Sequence, residues 1–341
     1  MELGLGDFRD ARLKEVGFFC TAGWCRTAAG EAAYAGLARA GEMRITRFPH
    51  NRRVTTAEML SAASARTCRH VRGRHVLAIQ DTTSVRVDEK GIGLSVHPLI
   101  AVDASSGFVL GLVDAFFLDR RGGEKEARKE RAFEDKDSRR WLDGAQSASR
   151  LCDAGAACVT VVEDREGDIY ECFAFKPDKV EKLVRAAQDR LLSDGTHLFA
   201  AADGWSEAGR ITIELPAIPG RKARTAVLSV RFGSIAIARP KNRKANGARK
   251  LPATVTVSMV DAREINPPQG EQPAHWRLLT THQVNDMADA RRMIGFYRLR
   301  WTVEQLFRTT KTKALIWKRF AGRRADRWKS SSPQPSLPPS R

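Results

Sequence analysis

The chain has 341 residues, of which 42% are hydrophobic, and a formal charge of +18. That is enough apolar material for one large domain with insertions or two ordinary ones. No apolar run reaches the roughly 18 residues of a membrane span, and the start MELGLGDFRDARLK lacks the basic and apolar blocks of a signal peptide, so a soluble, cytoplasmic protein is expected.

The charge is concentrated. Residues 219–250 hold ten Lys/Arg and no Asp/Glu, and residues 291–341 hold fourteen against Glu304 and Asp326. These segments carry +10 and +12, which leaves −4 for the rest. Such clustering is the footprint expected for a polyanion, nucleic acid first; the alternative is solvated loops and a basic tail. A membrane surface fits less well, because no basic amphipathic helix with a strongly apolar face accompanies the charge. The six cysteines (Cys20, Cys25, Cys68, Cys152, Cys158 and Cys172) form no C-x-x-C pair and have no His or Cys neighbours at zinc-finger spacing, so reduced thiols are expected.

In chain order, residues 1–66 read as mainly helical, with Thr55 or Thr56 as the cap of a helix through Met59 and Leu60. HVLAIQD is a short apolar run that suggests a buried strand with Asp81 at its C-terminal end. LIAVDASSGFVLGLVDAFFL reads as a hairpin turning at DASSG. KEARKERAFEDKDSRRWLDGAQSASRL is helical by propensity, and ACVTVVED is a second buried strand that ends in Asp164 ahead of a helix. HLFAAADGW reads as a further strand. RITIELPAI, TAVLSVRFGSIAIAR and ATVTVSMVD alternate as two-sided strands. Helix returns at about 286–320, and SSSPQPSLPPSR is expected to be disordered.

The helix containing FYRLRWTVEQLFRTTK places Tyr297, Arg300, Glu304 and Lys311 within an arc of about 60°, beside an apolar face of Phe296, Leu299, Val303, Leu306 and Phe307. Three acids therefore stand out: Asp81 and Asp164 at strand ends, where ligands gather in open α/β sheets, and Glu304 on this helix. Singly, an acid after a strand is usually a turn former or cap. Together they suit phosphodiester chemistry with two divalent ions held by hard oxygen ligands, Mg²⁺ or Mn²⁺. Arg300 and Lys311 are placed to neutralise neighbouring phosphates. Asp168, at the start of the next helix, is expected to be structural, complementing the helix dipole. None of the seven histidines has a spacing that suggests metal or general-base work, and His97 and His275 read as structural.

These motifs resemble those of DDE transposases of bacterial insertion sequences, in the insertion-sequence-four-type branch marked by Y-(2)-R-(3)-E-(6)-K. Tyr297, Arg300, Glu304 and Lys311 fit that pattern without a gap. AIQDTTS around Asp81 and VVEDREGDIYE around Asp164 resemble the two aspartate blocks, KDSRRWLDGA resembles the helix before the second, and HWRLLTT resembles the end of a β-insertion. The likeness covers roughly residues 55–311.

The resemblance implies an α/β fold: an RNase H-like, mixed five-stranded sheet flanked by helices, with an inserted β-rich subdomain. The implied organisation is a helical DNA-binding region over 1–66, the catalytic core over 67–175 and 278–320, the β-rich insertion over 176–277, and a disordered basic tail over 321–341. It implies a metal triad of Asp81, Asp164 and Glu304 holding two Mg²⁺ (or Mn²⁺) ions, and DNA contacts from Tyr297, Arg300 and Lys311. Trp276 falls where the family places an aromatic near a flipped-out base, an arrangement that stacking favours; a Trp packed in the core is the alternative. The implied activity is cleavage of double-stranded DNA at transposon ends and strand transfer into target DNA, by a homodimer assembled on DNA near the bacterial nucleoid. Residues 36–48 fit the family pattern poorly. The segment after Lys311, TKALIWKRFAGRRADRWKSSSPQPSLPPSR, departs from it, which leads to the expectation of a truncated copy, with a DNA-binding remnant as the alternative to an active enzyme. An RNase H-like nuclease unrelated to transposition would explain the acids but not the Tyr–Arg–Lys stripe.

Overall fold

A computed structural model describes residues 6, 8–15, 47–86, 93–119, 136–215, 217, 222–240 and 251–313. Most of the expected N-terminal helical region, the basic run at 241–250 and the tail after 313 lie outside the described residues, as does the first half of the polar helix expected before Trp141.

Helix α1 (Thr56–Cys68) begins where the sequence predicts, with the Thr55 side chain accepting a hydrogen bond from the backbone N–H of Glu58. The buried run after it forms β1 (His75–Gln80), and the chain passes Asp81 and Thr82 into the short β2 (Thr83–Arg86). β3 (Gly93–Asp103) and β4 (Val109–Asp119) form the expected hairpin. Its turn is set by Asp103, whose Oδ1 accepts from the backbone N–H groups of Ser105 and Ser106, with Gly107 at φ +72°. Helix α2 (Arg140–Asp153) then leads into β5 (Cys158–Glu163), which lies parallel to β1.

The short helix α3 (Tyr170–Ala174) connects β5 to β6 (Val180–Arg185), parallel in turn to β5. Next comes a departure from the sequence reading. HLFAAADGW is not a strand: Leu198–Asp203 is helix α4, with Leu198 and Ala202 buried. A run of three alanines favours helix, and an apolar segment this short does not reveal its period by itself. The alternating segments form β7 (Gly209–Leu215), β8 (Arg224–Ala238) and β9 (Thr254–Glu264), and β10 (His275–Thr280) follows.

Among the described residues, the ten strands join one sheet in the order β2-β3-β1-β5-β6-β10-β9-β8-β7, with β4 on β3. The β-rich stretch therefore extends the sheet through the antiparallel pairing of β10 with β6. The architecture is mixed α/β, a large sheet of parallel and antiparallel strands flanked by helices. Leu77, Ile79, Val162 and Leu183 on one face pack in the same cluster as Ala290, Met293 and Phe296 of helix α5 (Met287–Leu299). On the opposite face Val76, Ala78, Val159 and Val161 meet Ala145, Ala148 and Leu151 of α2. No helix among the described residues is long and apolar enough to cross a membrane.

The C-terminal stripe does not lie on one unbroken helix. α5, capped by Asp286, ends at Leu299, and α6 runs from Trp301 to Lys313, with Arg300 at the junction. There the backbone N–H groups of Arg300 and Val303 bond three residues back, to Tyr297 and Arg300 respectively. Bonds of this kind wind the chain more tightly than an α-helix, so a constant 100° step across the junction is the wrong projection.

Candidate active site

Asp81 and Asp164 each follow the last residue of a parallel strand, and β1 and β5 are neighbours in register, Ile79 opposite Val162. Side chains alternate along a strand, so positions 77, 79 and 81 share a face with 160, 162 and 164. That is the face covered by α5. The third acid, Glu304, stands one turn into α6.

Arg300 joins them. Its Nη1 donates to Asp81 Oδ2 at 3.1 Å and its Nη2 to Glu304 Oε1 at 2.5 Å. The helix junction thus presents the guanidinium to an aspartate 219 residues earlier. Asp164 Oδ1 accepts the Glu166 N–H at 2.8 Å, capping the short turn Arg165–Gly167. Tyr297 is 7% exposed; its ring packs against Trp276 at 6.0 Å and lies under the Arg300 guanidinium at 5.8 Å. Trp276 is half-buried and packs on the sheet core, opposite Ala262 in β9. Lys311 lies on α6, and its side chain is outside the described ones.

Electrostatics tie the acids together. Burial raises the Asp81 carboxyl, and the charges of Asp164 and Glu304 raise it further; the Thr82 N–H and Arg300 oppose this, and the balance is about 6. In an unfolded chain the same carboxyl titrates near 4. The stability that Asp81 contributes is therefore fully present below about pH 4 and lost as pH rises through 6. Asp81→Asn is accordingly expected to stabilise the fold at pH 8 by up to about 3 kcal/mol, a gain that vanishes near pH 4. Urea denaturation at the two pH values checks this, and equal gains at both would contradict it.

The donor set is all carboxylate oxygen with a surplus of negative charge, which fits a hard divalent cation. The three acids do not close to the 4.8 Å mutual spacing met by His75, Cys158 and His282, and the guanidinium of Arg300 stands between two of them as a built-in cation.

Behind the acids lies a buried polar network that the sequence reading did not find. Glu163, fully buried, pairs with Lys182 of β6 and accepts from Gln80 Nε2 at 2.5 Å. Gln80 Nε2 also donates to the Trp141 carbonyl, and its Oε1 lies 3.0 Å from His97 Nε2. Gly144 of α2 is required here, because a Cβ would overlap the Gln80 amide. Polar residues at the ends of the apolar strands HVLAIQ and CVTVVE, and a lysine within VEKLVR, were the available signal. Arg140 adds a second contact, donating to Thr82 at 3.3 Å and Glu166 at 2.9 Å from beside the acids.

Two expectations are corrected. Asp168 is structural, but not through a helix dipole: α3 starts at Tyr170, and Asp168 accepts two bonds from Arg190 and the N–H groups of Ala187 and Gln188. The histidines include a metal-competent group after all, since His75, Cys158 and His282 meet in space despite their separation in sequence. His97 and His275 do have structural partners, in Gln80 and Asp261. The basic run at 219–250 is also partly neutralised: Arg224 pairs with Glu264 and Glu271, and Arg231 with Asp261. A separate basic groove, lined by Arg210, Arg291 and Arg298, lies between β7 and α5.

No protein-family model matches the chain. The fold and site together define a mixed α/β protein with acids gathered at the C-terminal ends of two parallel strands.

Proposed function

We propose that this chain is a DDE-type transposase whose Asp81, Asp164 and Glu304 hold the divalent ions for DNA strand cleavage and transfer. The observation that carries the reading is the meeting of Asp81 and Glu304 on Arg300, with Asp164 at the neighbouring strand end near enough for its charge to raise the Asp81 carboxyl. The order β4-β3-β1-β5-β6, with β1, β5 and β6 parallel and β3 antiparallel to β1, supports an RNase H-like core. In this reading the β-insertion, expected over 176–277, begins only after β6 and comprises β7–β10, because β6 pairs parallel to β5 as part of the core.

Bound Mg²⁺ or Mn²⁺ would activate the attacking hydroxyl and steady the leaving oxygen. The chain's own residues do the rest. Asp81 and Asp164 are fixed by the rigid β1–β5 pair, and Glu304 is brought to them by the packing of α5 on the sheet. Arg300 bridges Asp81 and Glu304, and its planar guanidinium would suit bidentate pairing with a DNA phosphate beside them. The groove formed by Arg210 of β7 with Arg291 and Arg298 of α5 offers further phosphate contacts. Two carboxyl groups bridged by one arginine at strand and helix ends support this enzyme reading over a DNA-binding remnant, which has no use for them.

Strand transfer separates a transposase from a plain nuclease. Pre-cleaved terminal DNA from the element's flanks, carrying a free 3′-OH, is expected to join to a supercoiled plasmid in Mg²⁺. Nicking without any joined product would favour the nuclease.

A further inference from the structure

At the other end of the same two strands, about 20 Å from the acids by strand rise, lies a group with different chemistry. His75 opens β1 and Cys158 opens β5, and the two are register partners. His282 comes two residues after β10, in the segment leading to α5. The imidazole nitrogens and the thiol of these three half-buried residues all lie within 4.8 Å of one another. They surround one hydroxyl: Thr160 Oγ1 is 2.8 Å from His75 Nε2 and 2.8 Å from His282 Nε2. Phe296 of α5 closes the group with its ring 4.7 Å from that of His75.

We propose that His75, Cys158 and His282 form a site for one zinc ion, with the fourth position left to water. The donors are two borderline nitrogens and one soft sulfur, the set Zn²⁺ prefers and Mg²⁺ does not. A tetrahedral ion with bonds of roughly 2.0–2.3 Å needs its ligands roughly 3.3–3.8 Å apart. Side-chain rotation supplies that contraction once Thr160 turns its hydroxyl out of the ring of donors.

A metal here requires neutral imidazoles and a thiolate. At neutral pH the binding reaction is therefore exchange at sulfur: the Cys158 S–H bond breaks, an S–Zn bond forms, and one proton leaves to solvent. Of the charges around His282, Glu181 and Asp289 favour the added cation, and Arg292 and Lys176 oppose it.

The consequence is mechanical. A filled site ties the starts of β1 and β5 to the segment that leads into α5, and so fixes the helix that delivers Arg300 and Glu304. The inference stands apart from the transposase reading and survives its failure.

Cobalt is the probe. Chelator-treated full-length protein titrated with Co²⁺ is expected to develop tetrahedral visible bands and a near-ultraviolet thiolate-to-cobalt band at one equivalent, and equimolar Zn²⁺ should bleach them. Cys158→Ser should lose the thiolate band, whereas Cys68→Ser and Glu304→Ala should keep it. A spectrum that stays that of aqueous Co²⁺, or a thiolate band that survives Cys158→Ser, overturns the proposal. Should His75→Ala or His282→Ala fail to fold, thermal melting decides between the remaining forms: in a Glu304→Ala background, Zn²⁺ is expected to raise the Tm markedly more with Cys158 present than with Cys158→Ser. Equal shifts in both would refute the site.

Discussion

Lys182→Met is expected to cost about 3–5 kcal/mol of folding stability, the largest loss among single changes near the site. Lys182 and Glu163 face each other from β6 and β5 with side-chain exposures of 3% and 0%. Removing the ammonium leaves a carboxylate with only the Gln80 amide for company. Burial already pushes the Glu163 carboxyl up, and Lys182 is the chief group holding it down. Without Lys182 its pKa rises further, so the folded state binds a proton that the unfolded state has released. The loss must therefore grow with pH above the ordinary carboxylate range and shrink in acid. Adding Glu163→Gln removes the orphaned charge, keeps a partner for Gln80, and is expected to restore most of the stability. Denaturant unfolding of the double-mutant cycle measures the coupling. A single substitution costing less than about 1 kcal/mol at pH 8 would mean the pair is not buried as described.

Alanine at Asp81 or Glu304 is expected to lower the rate of DNA strand cleavage by at least about 10³-fold, roughly 4 kcal/mol of barrier, while binding of terminal DNA persists. Both carboxylates are engaged by Arg300, so each deletion also frees the guanidinium from one partner. A residue that only held the fold together would show its loss in melting behaviour. Asp81 carries a net electrostatic cost above pH 6, and its removal should leave the chain no less stable there. Loss of cleavage with stability maintained is the signature of a group kept for chemistry. Loss of cleavage together with collapse of the fold would assign Asp81 to structure.

What could be read from the sequence followed from local signals. Asp81 and Asp164 could be placed because each ends a continuous apolar run, and the Asp103 hairpin because its turn chemistry is local. Glu304 and Arg300 were legible through their four-residue spacing, which survives the helix junction as a direct contact. The junction itself was hidden, because Arg300 keeps helical dihedrals and only its bonding pattern changes. The helix at Leu198–Asp203 was missed because six residues show too little of any period. Pairs such as Glu163 with Lys182, Asp168 with Arg190 and Arg224 with Glu264 depend on which strands and loops meet, and single-chain spacing does not carry that. The same holds for His75, Cys158 and His282, whose meeting requires β1 beside β5 and the chain after β10 folded back across them.

A metal-dependent strand-cleaving site built from Asp81, Asp164 and Glu304 reveals itself when the purified chain is incubated with duplex DNA spanning the element's terminus and its flank. A nick at that junction bearing a free 3′-OH is expected with Mg²⁺ or Mn²⁺, absent with chelator and absent in Asp164→Ala. Cleavage that proceeds without a divalent ion, or that persists in Asp164→Ala, would contradict such a site.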